Sequence, residues 1–398
     1  MGFLLASDNG LRNALIMGMS TLTILAGTTI APSLPGIVDR FSETPDVAFF
    51  AQMILTVPAL TIAVTAPFIG MIADRFGRRQ LLLASLLVYG LAGAGGLYLD
   101  SIKALMISRA VLGIGVGAVM TATTTLVGDY FEGAERIRFM GHRSTAISLG
   151  GIVFLVAGGA LASLSWRAPF AIYLVALIFL PMAWRLIREP EASTRAPSED
   201  GIGRSIWQEH ARHLLLYLAG IVHFLAFYFI FTEIPFRASQ LGIRSTATVG
   251  IILGTMTLFS ALLSMVYPWV RARTSTATMF AIGFAPIALG FAATSFATSV
   301  GGLILAMAIT GCGAGLLTPN LSATAVARAA PPMRARVAGA MTASIFLGQF
   351  LSPAFTFPLA ETFGGLATFR ILAGLYLLLA ALALAGAGLS RRAMLETP

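Results

Sequence analysis

Charged residues and cysteines are scarce in this chain. Only 11% of its 398 residues are charged and 57% are hydrophobic, and the mean hydropathy is +0.86. A soluble globular domain carries about 25% charged residues, so this composition excludes that class. The single cysteine, Cys312, lies inside an apolar segment, so no disulfide framework is possible. The net charge of +9 does not indicate nucleic-acid binding, because the basic residues are scattered between apolar runs.

Motifs that carry chemistry are missing as well. The sequence has no Gly-x-x-x-x-Gly-Lys-Ser/Thr loop, so ATP is not expected to drive it directly. It has no His/Cys/carboxylate cluster with metal-ligand spacing and no serine–histidine arrangement, so we expect neither an enzyme nor a metal or cofactor site. The N-terminus lacks a basic leader before a short apolar core, which predicts that the first apolar run is retained as a span.

Twelve apolar runs dominate the chain, and each is long enough to cross a bilayer. A spanning helix needs about 20 mostly apolar residues, because lipid offers no partner for a free backbone amide. The sequence therefore predicts an all-α polytopic membrane protein with a six-helix bundle at 1–187, a polar linker at 188–212 and a second bundle at 213–398. The runs fall at about 12–32, 48–72, 80–99, 104–127, 139–163, 168–187, 213–235, 246–270, 276–297, 300–325, 335–359 and 366–389.

Basic residues are distributed unequally between the two sides of this predicted topology. If the N-terminus is cytoplasmic, 19 of the 26 Lys and Arg residues fall in segments on the cytoplasmic side. The positive-inside bias then places both termini and the linker in the cytoplasm.

An internal repeat relates the two halves. The stretch RIRFMGHRSTAISLG from Arg136 aligns without a gap to RARVAGAMTASIFLG from Arg334, at an offset of 198 residues. Two such halves predict a pseudo-symmetric transporter with its substrate site between the halves, near the middle of the bilayer.

Three motifs resemble those of the major facilitator superfamily. The segment GMIADRFGRR matches the family's loop between spans two and three. Arg109 followed by glycines opens span four in the same way, and Trp166 with Arg167 begins a Trp-Arg-x-Pro-Phe turn between spans five and six. The chain is most similar to the twelve-span bacterial drug–proton antiporters, although span five lacks the Gly-Pro pair of those proteins. The resemblance implies a major facilitator fold in the bacterial inner membrane.

The loop between spans two and three is expected to act as a cytoplasmic gate. In the family, its aspartate and arginines hold the two halves together when the protein faces outward, and an acidic residue at the end of span four pairs with one of the arginines. The alternative is that these arginines only set the topology. The predicted gate residues are Gly70, Asp74, Arg75, Gly77, Arg78, Arg79 and Asp129.

Three ionisable residues inside the spans are candidates for coupling transport to protons. Arg109 lies inside span four, where a charge is costly and usually faces the bundle interior, although snorkelling to the outer interface is an alternative. Glu233 in span seven is the candidate proton carrier, which Arg109 would hold ionised, and a structural charge at the interface is its alternative. His223 is a second titrating group or a packing residue.

Small, polar and aromatic residues of the spans are candidates for a substrate cavity. The aromatic run from His223 to Phe231 offers a wall for a lipophilic or cationic aromatic ligand, or forms part of the core. The candidates are Thr21, Thr28, Gly113, Gly117, Thr121, Phe227, Phe231, Thr318, Asn320 and Gln349.

The sparse polar inventory of the spans favours one function among several. The leading hypothesis is a proton-coupled exporter of amphipathic or lipophilic small molecules that works by alternating access. The alternative is a dedicated carrier, for export or uptake, of one defined metabolite. An uptake system for a polar solute would need more Asn, Gln and charged residues in its spans than this chain has.

Overall fold

The computed structural model describes residues 8–189 and 205–396, and the regular structure in these residues is helical. In this part of the chain thirteen α-helices follow one another, some extended by short 3₁₀ turns. Their bounds are α1 (Asp8–Thr28), α2 (Leu34–Arg40), α3 (Val47–Phe76), α4 (Arg78–Gly93), α5 (Ile102–Tyr130), α6 (Gly133–Ala162), α7 (Val175–Leu186), α8 (Ser205–Gln240), α9 (Thr246–Arg271), α10 (Thr276–Phe296), α11 (Val300–Arg328), α12 (Arg334–Phe363) and α13 (Gly365–Glu396).

Twelve helical segments of the described chain are long and apolar enough, by length and composition, to cross a membrane. The first of them combines α1, the 3₁₀ turn Ala31–Ser33 and α2. This confirms the predicted number and order of spans, and the chain is a multi-pass membrane protein.

The helix of the seventh span begins before its apolar run. Helix α8 begins at Ser205, so residues 205–212, which sequence analysis placed in the linker, are helical, and the candidate span starts at Trp207. Hydropathy detects only the apolar part of a span, and residues 208–212 of this helix are mostly polar. Residues 190–204 lie outside the described residues.

The same helix pairs pack together in both halves. In the first half α5 packs against α3 and α4, and α1 packs against α6. In the second half α11 packs against α9 and α10, and α8 packs against α12. Helices α5 and α11 also begin and end 198 residues apart, which is the offset of the sequence repeat. The two six-helix bundles are therefore pseudo-equivalent.

The two halves contact each other through α6 with α9 and through α3 with α12. We call the face of the bundle where α1 begins and α13 ends the terminal face, and the other side the opposite face. Near the opposite face Thr246 Oγ1 donates a hydrogen bond of 2.8 Å to the Gly159 carbonyl. The rings of Phe49 and Phe357 lie 5.5 Å apart there. A Cβ at Gly159 would lie 2.9 Å from the Gly250 Cα, so only glycine permits this helix crossing.

Two polar contacts of the described residues at the terminal face each lie within one half. Arg78 Nε lies 3.3 Å from Asp129 Oδ2 inside the first bundle. In the second bundle, Glu209 accepts a 3.0 Å hydrogen bond from the Ala330 amide. The hydrogen bond, ring contact and glycine crossing between the halves thus lie near the opposite face, whereas these two terminal-face contacts each lie within one half.

Candidate functional site

A cavity of about 540 Å³ lies between the two halves. Helices α1, α3, α5 and α6 contribute to it from the first bundle, and α8, α9, α11 and α12 from the second. Its polar groups are mostly hydroxyls, which can both donate and accept hydrogen bonds. They belong to Thr23, Thr28, Ser144, Ser148, Thr257, Ser260, Ser264, Thr318 and Ser322.

One wall of the cavity is aromatic. Phe224, Phe227, Tyr228 and Phe231 line it, at the three- and four-residue spacing that puts side chains on one face of α8. The Phe227 and Phe231 ring centroids are 5.7 Å apart, and those of Tyr228 and Phe231 are 5.3 Å apart. This wall suits a ligand with a flat apolar body.

No charged side chain lines the cavity among the residues that the structure describes. A polar ligand group must therefore be satisfied by hydroxyls, by backbone or by the Gln349 amide. A fully charged group would lose its hydration there without gaining an opposite charge.

The structure brings five of the ten predicted cavity residues to the cavity wall: Thr28, Phe227, Phe231, Thr318 and Gln349.

The other five predicted cavity residues do not line the cavity. A Cβ at Gly113 would lie 2.8 Å from the Pro58 Cα, and one at Gly117 would lie 3.1 Å from Ile69, so both glycines pack α5 against α3. Asn320 is fully buried and accepts a hydrogen bond of 3.4 Å from Tyr267 in α9.

Both threonines in this second group also make intrahelical contacts. Thr21 donates to the Gly18 carbonyl at 2.7 Å in its own helix. The Thr121 carbonyl accepts from Thr125 at 3.0 Å, one turn further along α5. These contacts lie within single helices, and the prediction that Thr21 and Thr121 bind substrate stays a prediction.

Arg109 is completely buried in the first bundle. Its Nε donates to the Ile54 carbonyl at 3.2 Å, and its Nη2 donates to the Ala26 carbonyl and, at 3.0 Å, to Tyr173 Oη. The buried Nη1 has no hydrogen-bond partner. The guanidinium points into the bundle, so the alternative that it snorkels to the interface is wrong.

Glu233 is 9% exposed and lies near the opposite face. Its carboxylate is next to Gly365 at the start of α13, where it occupies the space that a Cβ would need. Within the described chain it makes no ion pair, and the expected pairing with Arg109 is absent. The two residues belong to different bundles, and the partners of Arg109 are all in the first one.

His223 is 1% exposed and joins three helices. Its Nδ1 lies 2.9 Å from Tyr376 Oη in α13, and its Nε2 lies 3.5 Å from Thr318 Oγ1 in α11. Tyr376 also donates to the His223 carbonyl at 3.0 Å. The imidazole is held behind the cavity wall, and Thr318 connects it to the cavity.

The predicted gate has an additional member that sequence analysis missed. The Glu189 carboxylate accepts from the amides of Arg78 at 2.6 Å and Arg79 at 2.9 Å, which are the first two residues of α4. A carboxylate satisfies the free amides of a helix start and interacts favourably with its dipole. The acid that sequence analysis named in this loop is Asp74, whose side chain lies outside the described residues. Glu189 follows the sixth span, so no local pattern links it to α4.

Arg143 is a second buried arginine that sequence analysis missed. The topology prediction counted it only as a cytoplasmic charge, yet it is 6% exposed inside α6. Its Nε donates to Ser20 Oγ at 2.7 Å, and its Nη2 donates to Thr123 Oγ1 at 3.2 Å. Its burial could have been predicted from its position ten residues into α6, which is about 15 Å along the helix.

Comparison with known proteins agrees with this architecture. The model of the Major Facilitator Superfamily matches residues 16–353 and 216–392. This chain belongs to that superfamily.

Particular relatives include two resistance proteins. The chain is 34% identical to the class C tetracycline resistance protein of Escherichia coli over 161 residues, which cover 40% of each chain. It is 25% identical to the class B tetracycline resistance protein of Escherichia coli over 305 residues, 73% of this chain and 74% of that one. The match to the class C protein thus spans less than half of its length.

A solved structure shares the fold. The crystal structure of a D323A mutant of the nucleoside transporter NupG has a TM-score of 0.79, with 13% identity, and covers 94% of this chain and 99% of that one.

Proposed function

We propose that this protein is a secondary active transporter that exports amphipathic or lipophilic small molecules by alternating access. The observation that carries the proposal is the uncharged cavity with an aromatic wall, enclosed by two pseudo-equivalent bundles. The resistance proteins among its relatives support the direction of transport. By the positive-inside bias we assign the terminal face to the cytoplasm of a bacterial inner membrane, which makes the present state inward-facing.

Protons are the proposed coupling ion, and Glu233 is their proposed carrier. An unpaired carboxylate is costly to bury, whereas its protonated form is neutral. In the inward-facing state Glu233 is buried without an acidic or basic partner in the described chain, and such burial favours its neutral, protonated form. Separation of the halves near the opposite face would expose it to water, where the proton can exchange.

Arg78, Arg79 and Asp129 are proposed to act with Glu189 as the cytoplasmic gate. Here they hold α4, α5 and the end of α7 together within one bundle. When the protein closes towards the cytoplasm, the same basic loop would meet the second bundle.

A vesicle assay tests this function. Inside-out vesicles carrying a respiration-driven pH gradient and a fluorescent pH probe receive lipophilic compounds, sugars or organic acids. We expect lipophilic compounds to dissipate the gradient, and Glu233→Gln to abolish the response. Glu361→Gln is the matched control, because Glu361 is an exposed acid near the same face.

The same assay distinguishes this function from that of a dedicated metabolite carrier. A response to a single sugar or organic acid, with none to lipophilic compounds, would favour a dedicated metabolite carrier. Full proton-coupled transport by Glu233→Gln would disprove the role of that residue.

A further inference from the structure

Two buried arginines lie directly behind a cavity wall that carries no charge of its own. Arg143 precedes Ser144, which lines the cavity. The carbonyl oxygen of Ser20, a hydrogen-bond partner of Arg143, accepts a 2.8 Å hydrogen bond from the hydroxyl of Thr23, which also lines the cavity. Its other partner, Thr123, donates to the carbonyl of Met120, a third lining residue, at 3.2 Å.

Arg109 approaches the same cavity from nearer the opposite face. It donates to the carbonyl of Ala26, a lining residue. The next carbonyl, that of Gly27, accepts a 3.3 Å hydrogen bond from Tyr228, which belongs to the aromatic wall. One peptide group therefore separates this guanidinium from the wall that a ligand would stack against.

Neither positive charge is neutralised locally. No carboxylate of the described chain lies within 4.0 Å of Arg109 or Arg143, and all their hydrogen-bond acceptors are neutral. Hydroxyl and carbonyl oxygens solvate a guanidinium but leave its charge in place. The electrostatic potential of the cavity is therefore positive, and the low dielectric of the interior extends its reach.

The positive potential and the aromatic wall have opposite effects on the binding of a cationic ligand. Aromatic faces attract cations, so the wall alone is compatible with a cationic ligand. The arginines repel such a ligand, whereas an anion loses its hydration without direct contact to a counter-charge. An uncharged ligand meets neither cost.

Resting on the proposed function, we propose that the cavity selects uncharged aromatic amphiphiles, accepts singly anionic ones less well and rejects cationic ones. The two buried arginines would set this order without touching the ligand.

A counterflow experiment with three matched probes tests the order. Purified full-length protein in liposomes without an ion gradient exchanges dansyl amides that differ only in a terminal methyl, carboxylate or trimethylammonium group. We expect the neutral probe to exchange fastest and the cation at least tenfold more slowly. The absence of a gradient removes the effect of membrane potential on the charged probes.

Two variants test whether charge, rather than the shape of the cavity, sets the order of the probe rates. Arg143→Met should bring the cation's rate to within threefold of the neutral probe, and Met already occupies the equivalent repeat position, Met341. Gln349→Glu places one negative charge on the wall at nearly unchanged volume, and should raise the ratio of cation to neutral rates at least tenfold. Gln349→Met is its control: loss of the amide should change the rates of the cationic and neutral probes together, and the ratio between them should stay the same.

The outcomes are distinct. Equal rates for cation and neutral probe in the unmodified protein, or an unchanged ratio in Gln349→Glu, would overturn the selectivity while leaving the transporter function intact. Failure of all three probes to exchange would count against the proposed function itself, and the selectivity would fall with it.

Discussion

A methyl group added at Gly159 should drive the protein out of its inward-facing state. The new Cβ would lie 2.7 Å from the Thr246 carbonyl oxygen and 2.9 Å from the Gly250 Cα. Both are backbone atoms, so no side-chain rotation relieves the overlap and α6 must move away from α9. Overpacking of this kind costs about 1–3 kcal/mol. The cost applies only while the halves touch near the opposite face, so the ratio of inward-facing to outward-facing molecules should fall by about 5- to 150-fold.

Distances between spin labels measure this shift. Labels at Leu164→Cys and Arg244→Cys, in a Cys312→Ser background, report the gap between the bundles near the opposite face. We expect Gly159→Ala to move the distance distribution towards longer values. Gly141→Ala is the control, since it makes the same change in α6 where nothing lies within 4 Å of the new Cβ. Identical distributions in the two variants would refute the assigned contact between the halves.

Three further substitutions have expected effects that follow from single contacts. Tyr376→Phe removes both bonds to His223 and should lower the unfolding midpoint, because a buried imidazole nitrogen and a carbonyl lose partners worth about 1 kcal/mol each; no change in a thermal melt would argue against the contact. Asp129→Asn should slow transport while costing only about 1 kcal/mol, since its pair with Arg78 is partly exposed; vesicle transport corrected for protein amount checks this. Glu209→Ala leaves the amide beyond α11 without its acceptor, and faster proteolysis near residue 330 should follow.

Much of the architecture follows from composition and repeat. Twelve spans, two halves and their order depend on hydrophobic length and on a sequence offset, both of which are local properties. The start of α8 at Ser205 was missed because residues 208–212 are mostly polar, and a helix that emerges from lipid needs no apolar residues there.

The members of the site were harder to predict, because a span has three possible neighbours: lipid, another helix or a cavity. Gly113 and Gly117 fit a cavity stripe by spacing, yet they permit the close approach of α3 and α5. Phe227 and Phe231 fitted a core stripe equally well, yet they line the cavity. Hydropathy is the same in each case, so only the rotation of the helix decides. Glu189 depends on a contact across 110 residues, which no periodicity reports.

The two pseudo-equivalent bundles differ in their buried charge. Shifting Arg109 and Arg143 by the 198-residue offset gives Met307 and Met341, both almost fully buried in the second bundle. Methionine fills a similar volume without charge, so packing alone does not require arginine at these positions. An uncompensated guanidinium in the membrane costs about 2.5–3.5 kcal/mol by insertion scales, and the second bundle avoids that cost twice. Packing therefore does not account for the arginines of the first bundle. In the function proposed here they contribute positive charge, whereas the second bundle contributes the aromatic wall and the carboxyl group of Glu233.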